Sequence, residues 1–128
     1  MILDTSAVVA LFLKEPGVDP LIAKLGAART VGIGTPTLVE TGIVLTARLG
    51  ADTRPLLAEF MTEFSILPVP FGEAHWREAV YAYRRFGKGR HAAALNFGDC
   101  LSYATAKLAR QPILCTGRDF ARTDLDLA

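Results

Sequence analysis

The stretch Met1 to Leu13, MILDTSAVVALFL, constrains this chain more than any other. It opens with Met1-Ile2-Leu3, an apolar run long enough for a short buried strand. It then meets Asp4-Thr5-Ser6, three residue types that cap helices. Ala7 to Leu13 follows, apolar on nearly every side. A strand that stops at capping residues and becomes a helix is the first half of a βα unit. In open α/β sheets, polar groups just past the carboxyl ends of strands line the ligand crevice. Asp4 sits at such a point. It can serve as a helix cap, accepting backbone N–H groups at the positive end of the helix dipole, or it can serve chemistry. The choice depends on whether other acids converge on it.

The remaining chain alternates helices with short strands. Pro16-Gly17 breaks the first helix. Val18 to Ala28 reads as a second, with Leu21, Ile22 and Leu25 on one face. Arg29 to Ile33 is a β-branched segment expected as the second strand. A helix initiated at Pro36 runs to Leu49 and stops at Gly50, a suitable residue to follow a helix. Asp52 or Thr53 caps the next helix, with Leu56, Leu57, Phe60 and Phe64 inward. Ile66 to Val69 is a third strand. Glu73 to Phe86 is a helix whose expected core face is Trp76, Ala79, Val80 and Tyr83. Gly87 to Phe97 reads as a loop, Gly98 to Arg110 as a helix and Pro112 to Cys115 as the last clear strand, with an edge strand expected near Leu125. This alternation implies a mostly parallel sheet sandwiched by helices.

A length of 128 residues fits one domain with a real core, and 51% hydrophobic content excludes a disordered chain. Fourteen basic against 13 acidic side chains give a net charge of +1, so any nucleic-acid signal has to come from local clustering. Cys100 and Cys115 lack CxxC spacing and read as reduced packing residues of a cytoplasmic protein. No apolar run approaches the roughly 18 residues a membrane span needs.

Three further acids bear on Asp4. Glu40 lies in LVETGIVLTA with no other charge within its helical neighbourhood. It is expected to face inward, where an unpaired carboxylate costs on the order of several kcal/mol or takes up a proton. Asp99 opens the helix after Asn96-Phe97-Gly98 and is also a plausible cap. Asp119 follows the last strand across Thr116-Gly117-Arg118, which places it on the same rim as Asp4 in a parallel sheet. Carboxylates gathered at one rim repel each other unless a cation offsets them. Oxygen donors without His or Cys suit Mg²⁺ or Mn²⁺ rather than Zn²⁺. Such a site suits metal-assisted hydrolysis of a phosphate ester.

A local basic segment, YAYRRFGKGRH from Tyr81 to His91, interleaves cations with aromatics. Arg85, Lys88, Arg90 and His91 are candidates for holding nucleic-acid phosphates and stacking bases. The alternative is a solvated helix end, since cations also complement a helix C-terminus.

Four segments resemble the PIN-domain ribonucleases, specifically the VapC toxins of bacterial toxin–antitoxin pairs. They are MILDTSAVVA, TLVET around Glu40, YRRFGKGRHAAALNFGDCLSYATA around Asp99, and PILCTGRDFARTD. The resemblance spans Met1 to Asp124. It implies a three-layer α/β/α fold over a single PIN domain, 1–128, and an Mg²⁺- or Mn²⁺-dependent endoribonuclease. It places the family's metal-binding acids on Asp4, Glu40 and Asp99. Many relatives carry two adjacent acids after the glycine. Here the first is Arg118, and Asp119 matches the second. The resemblance makes Thr5, Ser6, Ser102 and Thr116 candidates for positioning water or the acids. It also implies a homodimer neutralised by a cognate VapB-type antitoxin. Two other readings compete: a non-catalytic RNA- or protein-binding module of the same fold, and a phosphoaspartyl enzyme with Asp4 as acceptor. The latter requires a lysine late in the sheet, and the last lysine, Lys107, falls on a helix.

Overall fold

The computed structural model describes residues 1–128. The chain forms β1 (Ile2–Leu3), α1 (Thr5–Leu13), α2 (Asp19–Ala27), β2 (Val31–Gly34), α3 (Thr35–Leu49) and α4 (Arg54–Glu63). It continues through β3 (Ile66–Val69), α5 (Glu73–Phe86), α6 (Phe97–Ala109), β4 (Ile113–Leu114) and a 3₁₀ turn, Phe120–Arg122. The four strands make one sheet in the order β3-β2-β1-β4. Every pairing is parallel, with Leu3 opposite Ile33 on one side and Leu114 on the other.

Alternation along the short strands divides the core into two layers. Leu3, Val31, Ile33, Ile66 and Leu114 join α1 to α4 on one face, around Ala7, Val8 and the fully buried Leu45. Ile2 and Ile113 point to the opposite face, against Ala82, Phe86, Leu95, Tyr103 and Ala104 of the α5–α6 layer. This is the three-layer α/β/α arrangement. The glycines of β2 fall on the α6 side. At Gly34 a Cβ would stand 2.6 Å from Thr105 Oγ1, so the strand needs glycine there for α6 to approach.

Several expectations about faces require correction. On α5 the buried residues are Ala79, Ala82 and Phe86, whereas Trp76, Val80 and Tyr83 are between 44% and 54% exposed. Small alanines let α5 pack closely on α6, and the large side chains are left on the outer flank. Ile22 on α2 and Leu56 on α4 are also exposed, while Leu21, Leu25 and Leu57 fill the core. The Thr53 hydroxyl does not cap α4, because it turns inward to the Gly42 carbonyl at 3.1 Å and to Thr46. Asp52 accepts the Arg54 amide at 3.1 Å instead. Gly50 ends α3 in the left-handed conformation, φ 67°. Near the C-terminus, Leu127 bridges Ile113 in parallel, so β4 has an outer neighbour close to the expected edge strand.

Candidate active site

The amide of Asp4, just past β1, donates to Leu114 O at 3.0 Å, which fixes the residue against β4. Its side chain is only 4% exposed and caps α1: Oδ2 accepts the Ser6 amide at 3.0 Å and the Ser6 hydroxyl at 2.6 Å. Capping and site geometry therefore coexist, since one oxygen serves the helix and the other makes no protein hydrogen bond. Ser6 also accepts the Thr116 amide at 3.0 Å, stapling the loop after β4 to Asp4.

Glu40 occupies the second turn of α3 and is half-buried. Its Oε1 accepts the Thr5 hydroxyl at 2.5 Å, and Thr5 in turn accepts from Thr41 at 3.2 Å. Its other oxygen lies against Gly98, where any Cβ would overlap the carboxylate. Asp99 stands in the first turn of α6, although Asn96 is the cap. The Asn96 side chain accepts the Asp99 amide and Asp99 Oδ2 accepts the Asn96 amide, both at 2.9 Å. This reciprocal pair is a capping box. Asp119, exposed, precedes the 3₁₀ turn and makes no side-chain hydrogen bond.

The four acids share one electrostatic neighbourhood. Burial pushes the Asp99 carboxyl up to about 6, aided by the charges of Asp4, Asp119 and Glu40, and the bond from Asn96 opposes the rise. The Cys115 thiol, next to the end of β4, is raised to about 11 by burial and by Asp4, Asp119 and Asp99. As placed, no three His, Cys, Asp or Glu side chains stand close enough together to enclose an ion. The donor chemistry still fits a hard cation, because all four donors are carboxylates and each keeps at least one oxygen free of protein hydrogen bonds.

The basic segment is less uniform than its composition suggests. Arg85 pairs with Asp124 at 3.3 Å and lies over the Phe86 ring. His91 Nδ1 accepts the Ala93 amide, and its ring meets Phe86 edge-on. Arg90 stacks on Tyr83, while Lys88 is exposed and makes no side-chain bond. Lys107 pairs with Asp124 at 2.7 Å, on α6 rather than beside Asp4, which removes the lysine a phosphoaspartyl site requires. Cys100 and Cys115 are free thiols.

Sequence reasoning missed two parts of the site, Asn96 as the cap of α6 and Gly98 as the cradle for Glu40. The Asn96-x-x-Asp99 spacing was the available signal for the first. Nothing local signalled the second.

The PIN domain family model matches residues 1–125. Ribonuclease VapC36 of Mycobacterium tuberculosis is 46% identical over 127 residues, covering 98% of this chain and 91% of that relative. Among solved structures, M. tuberculosis VapC20, described as a sarcin-ricin loop cleaving toxin, superposes with a TM-score of 0.79. It is 17% identical, and the match covers 99% of this chain and 97% of that one. A toxin–antitoxin complex from Klebsiella pneumoniae gives a TM-score of 0.71 at 18% identity, covering 99% and 95%. The family model and the sequence likeness agree: the chain belongs to the PIN-domain family, among the VapC ribonucleases.

Proposed function

We propose that residues 1–128 form one PIN domain that hydrolyses RNA phosphodiester bonds with Mg²⁺ or Mn²⁺, as the toxin of a toxin–antitoxin pair. The observation that supports this most is Asp99, whose carboxyl is raised to about 6 partly by the charges of three acids drawn from separate parts of the chain. A structural cap needs no such company. Asp4, Glu40, Asp99 and Asp119 are the residues that would hold the cation. A cation held there would supply Lewis-acid stabilisation of charge on the phosphate and would ease deprotonation of the attacking water.

The chain's own groups prepare that chemistry. Ser6, Thr5 and the Asn96 amide each hold one carboxylate oxygen of Asp4, Glu40 and Asp99 and leave the other available. Fixing the acids in this way lowers the cost of arranging them at the moment of reaction. Lys88 and Arg90, flanked by Arg85 and His91, offer cations and rings to the RNA.

The protein partners are an antitoxin of the VapB type and a second copy of the chain. Their support is the toxin–antitoxin setting of the similar proteins and an exposed apolar surface on α3, α5 and the start of α6. There Val39, Ile43, Val80 and Phe97 are between 54% and 79% exposed. No helix is long and apolar enough to cross a membrane. Action in the cytoplasm, where RNA is abundant, completes the proposal.

The test is cleavage of total cellular RNA by purified, antitoxin-free protein in Mg²⁺ or Mn²⁺ against EDTA, beside Asp99→Asn. Discrete fragments that need metal and vanish in the variant are expected. Folded wild-type protein with no metal-dependent cleavage would leave a binding module as the reading.

A further inference from the structure

Arg118 stands next to Asp119 on the loop between β4 and the 3₁₀ turn. It is exposed and makes no ion pair, side-chain hydrogen bond or ring contact, although Asp119 is adjacent in sequence and Asp4 is anchored to the same loop. The loop beneath it is fixed at both ends. Before Arg118, the Thr116 amide is bonded to Ser6, and Ser6 to Asp4. After it, Phe120 is 2% exposed, and the Arg122 amide donates to Asp119 O at 3.2 Å. A long cation is thus mounted on a short segment held between two anchors at the acidic rim.

We propose that Arg118 is a substrate-holding residue of this site, gripping a non-bridging phosphate oxygen of the RNA beside the bond to be cut. The inference rests on the ribonuclease reading above. Four converging carboxylates repel a polyanion, and a guanidinium at their edge counters that repulsion where the backbone must enter. Its planar fork binds phosphate oxygens in pairs.

The experiment measures binding of a short single-stranded RNA across a range of salt concentrations in the Asp99→Asn background, where no cleavage interferes. Adding Arg118→Ala should weaken binding roughly tenfold at low salt. It should also reduce the logarithmic salt slope by about 0.7, the contribution of one phosphate contact on a single strand. Arg118→Lys should recover most of the slope, and melting temperatures should match. Arg29→Ala, just before β2 and so at the opposite, amino-terminal end of the parallel strands, removes the same charge and should leave the slope unchanged. An unchanged slope in Arg118→Ala, or an equal loss in Arg29→Ala, overturns the inference. Cleavage by the wild-type protein separates the two readings. If wild type cuts RNA and the Arg118→Ala slope is unchanged, only the role of Arg118 falls. If wild type cuts none and Asp99→Asn binds none, both fall.

Discussion

Gly98 and Glu40 occupy each other's space: a methyl group on Gly98 would overlap the Glu40 carboxylate. The first turn of α6 is therefore built around a side chain from α3. Alanine ordinarily favours a helix over glycine by about 0.5–1 kcal/mol. Here Gly98→Ala should lower RNA cleavage tenfold or more without raising the melting temperature. Full activity together with a higher melting temperature would show that Glu40 can move aside freely.

Thr5 holds the other oxygen of that carboxylate and accepts from Thr41. Thr5→Val keeps the shape and removes the hydroxyl, at a stability cost of about 1 kcal/mol. Activity should fall by about an order of magnitude, with Thr5→Ser restoring it. Equal activity in the valine and serine variants would remove Thr5 from the positioning of Glu40.

Asp99 should make the metal-free protein sensitive to pH. Its carboxyl is raised from the ordinary 3.8 to about 6 by burial and neighbouring acids. An acid with a higher pKa in the folded state binds more protons there than when unfolded. The stability from that proton is fully present below the unfolded value and lost as pH rises through about 6. In EDTA, the stability of wild type relative to Asp99→Asn should therefore decline from about pH 4 to about pH 7. Denaturant melts of both proteins across that range provide the check, and parallel curves would contradict the assignment.

Asp124 ties three side chains of the α5–α6 layer to the C-terminal segment. It accepts the Tyr103 hydroxyl and the Lys107 ammonium, both at 2.7 Å, and Arg85 at 3.3 Å. Tyr103 is fully buried, and burial and Asp124 both hold its hydroxyl in the protonated form. Asp124→Ala leaves that hydroxyl without its acceptor and should cost about 1–3 kcal/mol. Asp124→Asn keeps an acceptor, loses only the partly exposed ion pairs and should cost less. Similar losses would make charge, not the tyrosine bond, the important contribution.

The sequence was most legible where one local pattern had one structural outcome. The apolar run into Asp4-Thr5-Ser6 did become strand and helix, and Pro36 to Gly50 bracketed α3 closely. The acids at strand ends were readable because parallel topology puts all carboxyl ends on one rim. The face of α5 was not. Its direction is set by how near α6 can come, so Ala79 and Ala82 displaced Trp76 and Tyr83 from the core. The segment around Arg85 and His91 looked uniformly available, because sequence shows charge but not the Asp124 and Phe86 contacts that engage those two.

The central strand β1 is the first made, yet one of its two neighbours, β4, is nearly the last. A chain emerging from the ribosome can pair β1 with β2 long before Asp119 exists. Until β4 arrives, Asp4 lacks the carbonyl of Leu114 and Ser6 lacks the amide of Thr116. Translation thus delivers the four carboxylates in sequence but assembles them only at the end.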